Sequence, residues 1–153
     1  MNLSAQIEDF RVPVRRTRVE VQTERGRCEA FVFLPPSESP EQLLEEDDKP
    51  FFPAEQGGAI RLYARCAVMS LTVDSAIDPA ADSMAELGIP CDVRSVTVHM
   101  RNGTVLTGNV TSVSGRMRTL DILNQPARSF ALHSDGKIHY VSKAHVERVE
   151  EIR

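Results

Sequence analysis

The sequence predicts a mainly all-β protein built as two tandem small barrels of five short strands each, with short helical turns. Three observations carry this expectation. Apolar and polar residues alternate with a period of two in several short segments, glycine-bearing turns separate those segments, and the whole pattern occurs twice along the chain. A chain of 153 residues suffices for one ordinary domain or two very small ones, and the repetition favours two.

The repeat aligns 18–73 with 95–151. At an offset of 77, Val19, Val21, Gly26 and Leu43 fall on Val96, Val98, Gly103 and Leu120. One inserted residue later, Phe52, Gly58, Ile60 and Leu62 fall on Phe130, Gly136, Ile138 and Tyr140. The chain then divides into an N-terminal arm (1–17), a first repeat (18–74), a linker with a short helix (75–93) and a second repeat (94–153).

Each copy opens as a hairpin. Val19 and Val21 alternate with Glu20 and Gln22, and Val96, Val98 and Met100 alternate with Thr97 and His99, as in half-buried strands. Glu24-Arg25-Gly26-Arg27 and Arg101-Asn102-Gly103-Thr104 read as the turns. Asn-Gly signals a type I′ turn, because both residues tolerate positive φ. The return strands span 28–34 and 105–113. Phe31, Val32, Phe33 and Leu34 form a continuous apolar run, expected to be covered on both faces. Next comes a helical turn. Ser39 supplies the cap, Pro40 the first helical position and Leu43 and Leu44 the buried side, matched in copy two by Thr119, Leu120, Ile122 and Leu123. Strands near 51–54 and 130–133 follow. Gly57-Gly58 and Asp135-Gly136 then turn the chain into the closing strands, 60–63 with 68–73 and 137–141 with 146–152. In the linker, Asp78-Pro79 can cap a helix carrying Met84 and Leu87 that Gly88 and Pro90 end.

Composition excludes several classes. No apolar run reaches the ~18–20 residues of a membrane span, and no signal peptide is recognisable, so the expected place is the cytoplasm. The net charge of −4 gives no bulk attraction to nucleic acid. It hides an asymmetry: 1–80 carry 9 basic and 14 acidic residues, 81–153 carry 9 and 8. The run Glu45, Glu46, Asp47 and Asp48 reads as a solvated loop, and Arg11, Arg15, Arg16 and Arg18 as an exposed N-terminal segment. Cys28, Cys66 and Cys91 lack zinc-type spacing and read as buried or half-buried thiols. His99, His133, His139 and His145 have no matching ligand pattern and read as surface or loop residues. No nucleophile elbow or phosphate-binding glycine loop is present. No catalytic residue, metal or cofactor is therefore expected.

The stretch from Ser95 to Val110, a valine-rich strand, a turn glycine and a second glycine at Gly108, is similar to the first segment of the Sm-like small β-barrel. The stretch from Tyr140 to Val149 is similar to the second. The likeness extends to about 55 residues of each copy and to the wider Sm-like or SH3-like barrel class. It implies a barrel fold, association through barrel edges and binding of single-stranded RNA. The duplicated pattern is also similar to an uncharacterised bacterial domain family of unknown function, which implies a fold and no activity.

Two expectations of function follow. The first is a non-catalytic scaffold that binds a protein partner or itself through strand edges or the inter-repeat surface, with Phe31, Phe33, Phe51 and Phe52 as contact residues. The second is single-stranded RNA binding on a basic face of copy two made by Arg116, Arg118, Lys137, Lys143 and His145.

Overall fold

The computed structural model describes residues 14–46, 48–75, 91–113 and 118–152. The linker helix lies outside these residues. Ten strands form one antiparallel sheet: β1 (Arg15–Thr23), β2 (Gly26–Leu34), β3 (Phe51–Gln56), β4 (Ala59–Ala64), β5 (Ser70–Asp74), β6 (Cys91–Met100), β7 (Val105–Val113), β8 (Ser129–Ser134), β9 (Lys137–Ser142) and β10 (Val146–Glu151). Two short helices, α1 (Gln42–Glu45) and α2 (Thr119–Leu123), and two 3-10 turns, Arg65–Ala67 and Lys143–His145, complete the described elements. The protein is mainly β.

The strand order is β10-β6-β7-β8-β9-β5-β1-β2-β3-β4. The first five strands therefore lie in the order β5-β1-β2-β3-β4, and the last five repeat that order as β10-β6-β7-β8-β9. The halves meet where β9 pairs with β5, in the register Ser70↔Val141, Leu71↔Tyr140, Thr72↔His139, Val73↔Ile138 and Asp74↔Lys137.

Two strands begin earlier than expected. β1 starts at Arg15, inside the stretch read as an arm, and β6 at Cys91, inside the linker. Arg16 and Arg18 do not disqualify β1, because alternation sends them outward while Thr17 and Val19 face in, and Arg15 stands half-buried at the strand's start. Arg16 meets Glu55 at 2.7 Å and lies 3.7 Å from the Phe31 ring centre. Phe31 and Phe33 are half-buried while Val32 and Leu34 are buried, so β2 alternates and is not covered equally on both faces.

The inserted residue also sits elsewhere. β1 and β2 are joined by two residues, with Thr23 opposite Gly26. β6 and β7 are joined by three, closed by the Met100 N–H donating to the Thr104 carbonyl at 2.8 Å. Gly103 alone takes positive φ there, at 92°. The Asn-Gly pair thus serves a three-residue hairpin in place of a type I′ turn. Type I′ geometry appears in the other hairpins, at Gly57-Gly58 (φ 58° and 81°) and Asp135-Gly136 (φ 44° and 74°). From β2 onward, equivalent residues stand 78 apart, as β4 and β9 do.

Two apolar clusters form the core. One holds Val19, Val32, Leu43, Leu44, Phe52 and Leu71 among others, and it also takes Ile138 and Tyr140 from the second half. The other holds Val96, Val98, Leu106, Phe130, Leu132 and Val141, and it takes Met69 from the first half. In α2 the residues packed against the core are Ile122 and Leu123, while Leu120, matched to Leu43 by sequence, is exposed.

At Gly108, β7 runs tightly against β8. A Cβ added there would stand 2.5 Å from the His133 carbonyl oxygen and 2.9 Å from Leu132 Cγ. Because the first obstacle is backbone, a side chain forces the strands apart. Gly108→Val is expected to lower stability by about 1–3 kcal/mol, the range for overpacking. Urea unfolding measures it, and an unchanged midpoint would show that the two strands are not so close.

Candidate functional site

Among the described residues no group of three or more His, Cys, Asp or Glu side chains could hold a metal ion. The histidines are dispersed. His99 faces Glu150 at 3.5 Å, the His139 Nδ1 lies 2.6 Å from the Thr72 hydroxyl, and the His145 Nε2 lies 2.7 Å from the Cys66 carbonyl; His133 lies in β8. Cys28 and Cys66 are exposed, contrary to the expectation of buried thiols. Cys28 stands at the solvent end of β2 and Cys66 on a 3-10 turn, positions the core does not reach.

The basic residues of copy two do not share one face. Arg116 lies outside the described residues. Arg118 pairs with Asp121 at 3.2 Å beside α2. The pair holds the Asp121 carboxyl below the usual carboxylate range, chiefly through the side-chain hydrogen bond. Lys137 lines a separate cleft with Arg18, Glu20 and Asp74. Only Lys143 and His145 come together, in a cleft of about 480 Å³ between the halves that Arg65, Cys66 and Arg128 also line. The polar groups of that cleft have partners. Arg65 bonds to Glu46 at 3.0 Å and to the Leu43 and Lys49 carbonyls, and its guanidinium lies 5.3 Å from the Phe52 ring centre. The Lys143 ammonium donates to the Gln125 carbonyl at 2.9 Å. Burial lowers the Lys143 pKa and Glu45 opposes that shift.

The four phenylalanines divide by strand face. Phe52 is core, stacked on Tyr63 at 5.9 Å between ring centres, so a partner cannot reach it. Phe31 and Phe33 are half-buried on the outer face of β2. Phe51 is 57% exposed.

The junction carries a contact that sequence reading missed. The Glu45 carboxylate, at the end of α1, accepts hydrogen bonds from the backbone N–H groups of Arg128 and Ser129 at 2.9 and 3.3 Å and from the Ser129 hydroxyl at 3.4 Å. A residue read as part of a solvated acidic run instead satisfies the entry to β8. Nothing local in the sequence marks it, because its partners lie more than 80 positions away.

Among the described residues the sheet has two outer edges, β4 at one end and β10 at the other. β4 carries Ile60 at 59% exposure and Leu62 at 69%. Their equivalents on β9, Ile138 and Tyr140, are 1% and 3% exposed. The same two positions are thus core where the strand is paired and bare where it is an edge. Bare apolar residues on an open edge invite another strand. Compared with known protein families, curated proteins and solved structures, the chain matches none.

His139 makes the junction sensitive to acid. Its pKa is lowered from the ordinary 6.5, first by burial and then by Arg27 and Lys137, with Glu20 opposing. A histidine whose folded pKa is depressed binds its proton more readily when unfolded. Its contribution is therefore complete above the unfolded pKa and declines as pH falls through the folded one. Unfolding free energy is expected to fall as pH drops below about 6.5, and His139→Gln to remove that part of the slope. Urea titrations of both proteins across this range measure the difference.

Proposed function

We propose that the chain is a non-catalytic scaffold of two tandem small barrels that recruits a protein by adding the partner's strand to its open sheet edges. One observation carries this reading: the outer strand β4 holds Ile60 and Leu62 bare, while the equivalent residues of the paired strand β9 are core. Main-chain hydrogen bonds along an edge supply affinity, and side chains facing the pocket supply choice. The reducing cytoplasm suits a protein whose Cys28 and Cys66 stand exposed and free. The test is an affinity capture from the native cell with the wild-type chain and with Ile60→Asp. A partner retained by the first and lost by the second supports the edge. Equal capture by both counts against it.

A second reading, single-stranded RNA, draws on the cleft shared by Arg65, Arg128, Lys143 and His145. It ranks below the first because Arg65 and Lys143 are already engaged within the chain. RNA held there would be released steeply by salt. Filter retention at low salt that disappears as salt rises, and that Lys143→Ala weakens, is the outcome this reading expects.

A further inference from the structure

We infer that the strand added to these edges belongs to a second copy of this chain, with β10 of one copy pairing antiparallel with β4 of the next. This rests on the edge-binding reading above and names its partner. The chain already contains one such junction, β5 on β9, and β10 and β4 are the equivalents of those two strands in the opposite halves. The two free edges are therefore the two sides of a contact the molecule makes once within itself.

The internal register transfers residue by residue. Moving Ser70↔Val141 through Asp74↔Lys137 by the repeat offset places Arg148 opposite Tyr63, Val149 opposite Leu62, Glu150 opposite Arg61, Glu151 opposite Ile60 and Ile152 opposite Ala59. The side chains suit this register. Val149 and Leu62 form an apolar pair where the internal junction has Leu71 and Tyr140. Glu150 and Arg61 bring opposite charges together where the internal junction has the Thr72–His139 hydrogen bond. Within its own chain Arg61 has no carboxylate at ion-pairing distance among the described residues, whereas Glu150 is held by Arg148 at 3.0 Å and faces His99 at 3.5 Å, so the contact would draw Glu150 onto Arg61 and turn Arg148 toward the Tyr63 ring. A register shifted by one residue would put Ile60 and Leu62 on the face of Glu150, away from Val149, so strand alternation selects the alignment.

A receiving site exists as well. In the first half, Ile138 and Tyr140 enter the core beside Leu71 and Val73. In the second half the equivalent strand positions are Val149 and Glu151, and they line an open cleft of about 360 Å³ with Leu120, Leu123, Arg94 and Thr119. The buried Thr119 hydroxyl and Arg94 Nε at this cleft lack hydrogen-bond partners. Ile60 and Leu62 of the next copy are the residues that would fill it, as Ile138 and Tyr140 fill the first core. Each copy keeps one donor edge and one acceptor edge after joining. The contact is therefore heterologous, and growth stops only where the assembly closes on itself.

Sedimentation of the purified chain tests this. The expected mass is a multiple of 17.0 kDa. Leu62→Asp, at an exposed position, should return the mass of one chain while circular dichroism stays unchanged and thermal unfolding stays cooperative but no longer depends on protein concentration. Arg61→Glu or Glu150→Arg alone should weaken association, up to about fivefold in dissociation constant for a cross-strand charge pair. Both substitutions in one chain should restore it, because each contact then again joins opposite charges. A further signature separates this contact from a symmetric one. Leu62→Asp keeps a working β10, so in excess it should occupy the β4 of each wild-type chain and cut the assembly down to a two-chain species, which a symmetric β4 contact would not allow. A chain of single mass, with edge variants that still lose a cellular partner, would overturn self-pairing and leave the edge reading standing. A chain of single mass with no edge-dependent partner would overturn both. A multimer unaffected by Leu62→Asp would also overturn the proposal.

Discussion

The pairing of β5 with β9 is the contact on which the rest of the structure depends. It does more than join two halves, because it completes both cores. The second half contributes Ile138 and Tyr140 to the first cluster, and the first half contributes Met69 to the second. Burying Ile138 and Tyr140 stabilises the junction by roughly 1.5–3 kcal/mol per side chain. A unit of under 60 residues buries too little surface to be secure alone. Each half therefore relies on the other for part of its interior, and separating them would expose core side chains as well as strand edges.

Apolar burial sets the strength of this contact, and polar groups set its geometry. The Ser142 N–H donates to the Met69 carbonyl at 2.9 Å, and the Ser75 N–H donates to the Gly136 carbonyl at 2.8 Å, extending the ladder at both ends. Glu45 closes the gap between α1 and β8. Gln22 reaches Thr104 at 3.1 Å, tying the hairpin of one half to that of the other. A charge-assisted bond contributes about 1.5–3 kcal/mol where its donor is buried, as the Ser129 N–H is, and removing the acceptor leaves that donor unsatisfied. These bonds have direction, unlike burial. They fix the register in which β5 meets β9 and make the junction a defined template.

Most strands and the doubling of the pattern could be read from alternation and turn residues. Val19, Val21, Val96 and Val98 announce β1 and β6, and Gly57-Gly58 and Asp135-Gly136 do turn the chain with positive φ. Features that depend on distant partners could not be read. The match of Leu43 to Leu120 places the inserted residue past the helical turn. The structure puts it in the first hairpin, and Ile122 and Leu123 carry the packing in α2. Phe51 and Phe52 look alike in the sequence, but strand alternation sends one to solvent and the other to the core. The role of Glu45 depends on backbone groups of another half. The basic set of copy two illustrates the same limit, since Lys137, Lys143 and Arg118 line three different clefts once the strands are placed.

The two halves share a strand order, so their differences can be compared position by position. β9 and β4 occupy the same place in their halves, yet one is paired on both sides and the other forms an end of the sheet. A strand meant only to face water is normally blunted by charges or proline. β4 has one charge, Arg61, and keeps Ile60 and Leu62 where its equivalent keeps Ile138 and Tyr140. At the opposite end β10 carries Glu147, Arg148, Glu150 and Glu151, which resist a random apolar strand but meet Arg61 and Tyr63 in the register of the internal junction. One edge is thus apolar with a single cation and the other is mostly acidic around a central Val149. Each is poorly matched to itself and well matched to the other, which favours head-to-tail contact over symmetric pairing.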